Sequence, residues 1–437
     1  MEDMLIPPVS NRPSKVQLSR LGHIYFEHPD LKKFELFAKD FGFVEVTRRE
    51  ETIYYRGYGK DPYIYVALKS KDGKARCGGG AFVAASKEEF QKAAKIPGAS
   101  APMQVNAPGG GQIITFARPN GTCFHVIFGQ EDRQVDAEIP SETHEFQGPY
   151  NTPFEKPRLG QFQRYHDGPA LIHKISHFGY VCKEFDTEFE FYTSNFNFVP
   201  SDILYHPQFS NVDMLAFLHL DLGKEYSDHH VFFLQRAAPE VKKTFLHHSS
   251  YEVADFDTQL LGHEWMAKKG WKSLWGVGRH ILGSQIFDYW KDASGFKIEH
   301  YCDGDVVNED VPTRRDIAGP LSVWGPELPR DFGVDLTDPA VDFYSGPCPQ
   351  PGDEGASPDA GSIAGAEGEE FYGYRPSEDK TAHNVVLRNM ELTRMKVFLY
   401  SDWQCKNQIG IFTTDGCGVV PDGGTYIACA QIVRNYV

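Results

Sequence analysis

The sequence predicts an α+β fold of four βαβββ units in series, paired two by two into two modules. Three observations carry this prediction. One plan, a strand, a helix and then further strands, recurs from about Gly22 to Asp303. Each helix is marked by apolar residues at helical spacing, as with Leu31, Phe34, Phe37, Ala38 and Phe41. The strands read as short alternating or wholly apolar runs rich in aromatic and branched residues. At 437 residues the chain is also too long for one ordinary core.

In the first unit, RLGHIYFEH leads as a strand into the helix PDLKKFELFAKDFGF. GGAFVAAS leads into KEEFQKAAK in the second, with GQIITFA and TCFHVIFG as following strands. The third unit runs from ALIHKISHFGYV through the helix KEFDTEFEFYTSNF to strands near MLAFLHLDL and HHVFFLQ. FLHHSSYEVA opens the fourth, followed by the helix DFDTQLLGHEWMAKKG and the strands SQIFDYW and FKIEHYC. Residues 1–150 form the expected first module and residues 151–330 the second, with 151–169 as the connection. Residues 331–394 read as a Gly-, Pro- and acid-rich linker, flexible over Gly346 to Lys380. Residues 395–437 read as a small β-rich segment with three cysteines, to which no function is assigned.

Composition narrows the function classes. A net charge of −16 speaks against nucleic acid and anionic membrane surfaces as partners. No apolar run approaches bilayer-crossing length, and MEDMLIPPVSNRPSK lacks the basic start and apolar centre of a signal peptide. The eight cysteines contain no CxxC pair, so neither a zinc ribbon nor a dense disulfide framework is expected. A soluble, cytoplasmic protein is the expectation. CGGGAF and APGGGQ lack phosphate-loop spacing and read as turns, GHEWMAKK lacks the second histidine of a zincin helix, and His263 within it reads as a helix-surface residue.

The chemistry collects in the second half. In GFKIEHY, Lys297 and Glu299 face one way while Phe296 and Ile298 face the other. Alone, Glu299 would be read as a solvated carboxylate. His177 in KISHFGY and His248 in HHSSYEV each lie on the first strand of a unit, just before its helix. Paired units around a common pocket would bring these three side chains together. Of the adjacent pair, His248 is preferred over His247 because it holds the His-x-x-aromatic-Glu position. Two imidazoles and a carboxylate occupy one face of an octahedral ion and leave the opposite face open, which suits Fe(II) and oxygen chemistry. The first half serves as an internal control. His23 matches His177 and His125 matches Glu299, but Gly79 falls where His248 falls, so that half has lost one ligand corner.

The motifs KISHFGYV, HHSSYEVADFD, DHHVFFL and GVGRHILGSQIFDYWKDASGFKIEHY give the region from Arg20 to about Trp324 a specific resemblance. It resembles the vicinal oxygen chelate superfamily (glyoxalase/bleomycin-resistance/dioxygenase-like modules), and within it the two-module extradiol catechol dioxygenases. The resemblance implies His177, His248 and Glu299 as iron ligands, and His280 and Tyr289 as substrate contacts. It implies His229 as the acid–base residue, with His230 the alternative one register position away. It further implies Fe(II), with Mn(II) accepting the same ligands, and a catecholic substrate opened by both atoms of O2. Phe178, Phe217 and Trp275 are expected to line the pocket, and a homo-oligomer is expected. Two other readings stand beside this one: a glyoxalase-like isomerase or lyase, which would need a fourth protein ligand, and a non-enzymatic small-molecule binder.

Overall fold

The computed structural model describes residues 4–135, 139–329 and 332, together with the backbone of six strands further along. The chain divides into two units, Met1–Glu354 and Gly355–Val437. No helix among the described residues is long and apolar enough to cross a membrane.

The first unit contains the four repeats. Repeat one is β1 (Leu18–His28), α1 (Leu31–Asp40), β2 (Val44–Arg49), β3 (Thr52–Arg56) and β4 (Tyr65–Lys69). Repeat two is β5 (Arg76–Ala84), α2 (Lys87–Ala93), β6 (Met103–Gln104), β7 (Gln112–Ala117) and β8 (Cys123–Phe128). The short strands β9 (His144–Phe146) and β10 (Arg164–Tyr165) pair across the connection. Repeat three is β11 (Ile172–Cys182), α3 (Phe185–Asn195), β12 (Phe198–His206), β13 (Phe209–Leu220), a two-residue β14 (Ser227–Asp228) and β15 (Phe232–Arg236). Repeat four is β16 (Phe245–Val253), α4 (Phe256–Lys268), β17 (Lys272–His280), β18 (Ile286–Lys291) and β19 (Lys297–Cys302). The strands β20 (Val306–Val307), β21 (Arg314–Ile317) and β22 (Ser322–Trp324) follow.

Repeats pair through their first strands. β1 runs antiparallel to β5 in an eight-stranded sheet, and β11 antiparallel to β16 in a ten-stranded one. In each repeat the first and last strands are parallel neighbours: β1 with β4, β5 with β8, β11 with β15, β16 with β19. The crossover between them is the helix and two strands, the length a parallel pair requires. Side-chain caps fix where the helices begin. Asp30 accepts from the Lys33 amide at 3.0 Å, Ser86 from Glu89 at 3.2 Å and Asp255 from Thr258 at 2.8 Å.

One core runs through both modules. Phe34 and Phe37 of α1, and Phe41 just after it, are fully buried, each contributing about 2–3 kcal/mol. Phe41 stacks on His300 of β19 at 3.7 Å between centroids, and its carbonyl oxygen accepts from His300 Nε2 at 2.8 Å. Trp271 donates to Asp40 at 2.9 Å. Arg118 grips Glu188 of α3 through two contacts of 2.9 and 3.0 Å while lying 3.4 Å over the Phe191 ring. Glu188 is 2% exposed, so this is a buried pair joining the modules.

The second unit contributes β23 (Glu370–Tyr372), β24 (Asn384–Leu387), β25 (Met395–Tyr400), β26 (Gln408–Phe412), β27 (Gly416–Val419) and β28 (Cys429–Arg434). They form one sheet in the order β23-β28-β25-β26 and a second pair β24-β27. Strands in the 395–437 segment accord with the sequence reading. The expected linker, residues 331–394, lies outside the described residues apart from Phe332 and the strands β23 and β24.

Candidate metal centre

The register of the ten-stranded sheet builds the site. His177 on β11 faces Ser250 on β16, and Gly179 faces His248. Ser250 in turn faces Glu299 on β19. His177, His248 and Glu299 therefore project from three adjacent strands onto one concave face. His177 Nε2 lies 3.1 Å from His248 Nε2, and Glu299 Oε2 lies 3.2 and 3.4 Å from those nitrogens. All three residues are buried, and among the described residues they form a three-donor group able to hold a metal ion. Both carboxylate oxygens of Glu299 are buried without a hydrogen bond. Burial opposes its charge, yet the neighbouring His177, His248 and His280 rings hold the carboxyl well below the usual range. Burial likewise keeps His248 neutral, lowering it to about 4. Neutral imidazoles and an ionised carboxylate are the protonation states a divalent ion needs. The convergence of three donors with orphaned lone pairs fits such an ion.

Around this cluster, His280 Nδ1 donates to the Leu321 carbonyl at 3.0 Å, leaving Nε2 to accept from the Tyr289 hydroxyl at 3.0 Å. The same Nε2 lies 3.8 Å from Glu299 Oε1. Tyr289 sits directly opposite Glu299 in the β18–β19 pair. His280 and Tyr289 are thus brought to the cluster, as the sequence motif implies.

The adjacent histidines differ from the simplest expectation. His230, not His229, lies against the cluster, its ring 4.0 Å from that of His177. His229 turns to Asp202, with Nε2 to Oδ2 at 2.6 Å, and its Nδ1 meets His230 Nδ1 at 3.1 Å. Residues 229–231 lie between β14 and β15, outside regular strand. Strand alternation therefore cannot assign their directions, which come from the fold. Burial first, then His177 and His229, hold His230 well below its ordinary value.

Two of the three expected pocket aromatics are at the site. Phe217 packs 4.8 Å from His230, and Trp275 stacks parallel to Tyr289 at 5.6 Å. Phe178 is not there: it lies on the opposite face of β11, packed on Phe232 and against Gly80 of the first module. Adjacent residues of a strand face opposite ways, and His177 takes the concave side. Phe233 and Phe332 were missed. Phe233 stands 5.0 Å from His248, and Phe332 lies within about 5 Å of His247, Trp275 and Tyr289. Alternation along β15 could have found Phe233; nothing local announces Phe332. His263 is also buried rather than on the helix surface, bonded to Asp288 at 2.9 Å.

The first module shows why the pattern is lost there. His23 faces Ala81, Tyr25 faces Gly79, and Ala81 faces His125. These are the registers of His177, His248 and Glu299, as the internal comparison expects. Gly79 has φ +91°, and a Cβ there would stand 2.0 Å from the Cys123 carbonyl oxygen. No histidine fits. Tyrosine rings occupy the space instead: Tyr25 bonds His23 Nε2 at 2.8 Å and Tyr63 packs 4.4 Å from His23. His125 is tied to Thr115 and to the Gly78 carbonyl.

Two paired βαβββ modules, one bowl filled and the other lined by His, His and Glu, give the chain the fold of the solved glyoxalase and extradiol dioxygenase on which it superposes. No family model matches the chain. It is 36% identical over 124 residues to metapyrocatechase 2 of Cupriavidus necator, a match spanning 28% of this chain and 36% of that protein. The matched stretch is thus about a third of the relative's length. The Mn(II)-bound glyoxalase of Novosphingobium aromaticivorans superposes with a TM-score of 0.59 at 19% identity, covering 75% of this chain and 97% of that one. Homoprotocatechuate 2,3-dioxygenase of Brevibacterium fuscum, in complex with 3,4-dihydroxyphenylacetate, superposes with a TM-score of 0.58 at 15% identity, covering 75% and 95%.

Proposed function

We propose that the protein is an extradiol ring-cleaving dioxygenase that uses Fe(II), with Mn(II) as the alternative ion, to insert both atoms of O2 into a catechol. The observation that carries this reading is the three-donor cluster of His177, His248 and Glu299 with the His280–Tyr289 pair beside it. A fourth protein ligand, which a glyoxalase-like lyase would need, is not part of that cluster among the described residues. The 36% identity to a metapyrocatechase segment supports the same reading.

The bound ion would lower the pKa of two adjacent hydroxyls and pass electron density from the ring to O2. The remaining work belongs to the chain. His280, whose Nδ1 donates to Leu321, would accept from a substrate hydroxyl at Nε2 as the Tyr289 hydroxyl turns from that nitrogen to hydrogen-bond the substrate itself. Phe217, Phe233, Trp275 and Phe332 exclude water from the bowl. His230 is the proton carrier in this proposal. Asp202 fixes the His229 proton on Nε2, His229 Nδ1 accepts from His230 Nδ1, and His230 Nε2 is left free to take a catechol proton and return it. Asp202 also contacts the mostly exposed Arg314 at 3.2 Å, so the relay leads outward to solvent.

Free Cys77, Cys123, Cys182 and Cys302 support a reducing, cytoplasmic location. The nearly fully exposed Phe154 and Leu159 support a homo-oligomer that covers them. The deciding experiment is aerobic mixing of Fe(II)-loaded protein with a panel of catechols. Oxygen uptake with a yellow ring-opened product is the expected result; tight catechol binding without oxygen uptake would refute the assignment.

A further inference from the structure

His247 and His248 meet on one side of the sheet although they are neighbours on β16. The cause is a β-bulge. Gly179 of β11 pairs with His248 and Tyr180 with Leu246, so His247 has no residue opposite it and escapes the strict alternation of the strand. Its Nδ1 comes to 2.7 Å from His248 Nδ1, the ring nitrogen that points away from the cluster. Both residues are 4% exposed, and Phe233 and Phe332 pack on His247 at 5.3 and 5.0 Å. An apolar side chain could fill this place between two phenyl rings without burying a nitrogen. A buried imidazole needs a polar partner, and the partner here is the neighbouring member of the cluster.

The first module carries a bulge at the same register and none of the chemistry. Tyr25 pairs with Gly79 and Phe26 with Cys77, so Gly78 is the residue with nothing opposite and stands where His247 stands. A Cβ on Gly78 would lie 2.8 Å from Tyr25 Cβ. The half that lacks the His248 imidazole lacks the His247 imidazole as well.

We infer that His247 is a positioning residue for the metal: its Nδ1 accepts a hydrogen bond from His248 Nδ1–H, which fixes the His248 ring and keeps the proton off Nε2. This inference rests on the metal-centre reading above and deepens it. His248 Nε2 lies 3.1 Å from His177 Nε2 and 3.4 Å from Glu299 Oε2, so a ligating His248 keeps its lone pair on Nε2 and carries its one proton on Nδ1. His247 then carries its own proton on Nε2. The other imidazole of the cluster is held less firmly, because His177 Nδ1 has Ser176 Oγ at 3.4 Å, beyond the usual hydrogen-bond range. His248 is the corner whose orientation the chain fixes most tightly.

The test titrates the full-length, metal-free chain with Mn(II), reading the free ion by electron paramagnetic resonance. Asparagine places its Oδ1 close to where His247 Nδ1 stands and can accept the same bond; leucine has similar bulk and cannot. His247→Leu should weaken Mn(II) binding about 10–100-fold, the usual cost of losing the outer partner of a ligating histidine, whereas His247→Asn should stay within about threefold of the native chain. A role in packing alone would rank the two the other way, since leucine suits the phenyl rings better. His247→Ala, which also lacks the acceptor, replaces His247→Leu should that variant not fold. Native affinity in His247→Leu, or equal losses in His247→Leu and His247→Asn, would overturn the inference while leaving the metal centre intact. A native chain that binds no Mn(II) would overturn both.

Discussion

Replacing Glu299 by glutamine tests the metal centre without testing turnover. The amide keeps the carboxylate's size, so packing on β19 is retained, but the anionic donor between His177 and His248 is gone. An ion that binds only the folded state at one hundred times its Kd stabilises that state by about 2.7 kcal/mol. The unit holding the site spans Met1–Glu354, and at about 2.1 cal/mol/K per residue its unfolding entropy is roughly 0.7 kcal/mol/K. The native chain should therefore melt roughly 4 °C higher with saturating Fe(II) or Mn(II), measured anaerobically by scanning fluorimetry. Glu299→Gln should show no metal-dependent shift, while its metal-free melting point stays within a few degrees of the native one. Metal analysis should agree, with one ion per native chain and none in the variant. An equal metal-induced shift in Glu299→Gln would refute the placement of the ion at this cluster.

Three further outcomes follow from the geometry. His230→Gln should retain the metal while turnover falls by roughly 10²–10⁴, with a smaller loss for His229→Ala; the opposite order would restore the simpler sequence register. Acid should destabilise the fold between about pH 6.5 and 4. Burial lowers His28 to about 3 and His219 and His300 to about 4 from an unfolded 6.5, so the stability they contribute is present above pH 6.5 and lost as pH falls. Asp292, raised by burial to about 7, acts in the opposite direction across that window. Each of these rings takes up a proton on unfolding and Asp292 releases one, so urea titrations should show stability falling as pH drops through this range; a flat profile would contradict the burial of these rings. Glu188→Ala should cost about 3–5 kcal/mol in chemical denaturation, because it strands the Arg118 guanidinium between the modules. A loss below about 1 kcal/mol would mean the pair is not buried as described.

Much of the fold was legible because period-two strands and period-3.6 helices recur at similar intervals, and because the repeat supplies its own alignment. The correspondences of His23 with His177, Gly79 with His248 and His125 with Glu299 were readable from sequence spacing, and strand register reproduces each. What could not be read has physical causes. His229 and His230 lie in an irregular segment, where alternation gives no direction. Phe332 reaches the bowl from beyond the last repeat, a long-range contact that no local pattern encodes. The burial of His263 depends on Asp288, whose position on β18 is set by pairing and not by the helix sequence. Strand β2 went unremarked because its exposed charged residues dilute the apolar signal.

The tyrosine-filled bowl of the first module has a bearing on how the chain waits for its ion. Its cavity is stoppered by its own rings, with Tyr25, Tyr63 and His125 bonded to protein partners, so that half completes its packing with no outside ingredient. Packed through Phe41 on His300 of β19 and through Arg118 on Glu188 of α3, it can serve as a ready-made mould for the other half. One half then supplies a self-sufficient scaffold, and the other keeps His177, His248 and Glu299 gathered in its bowl.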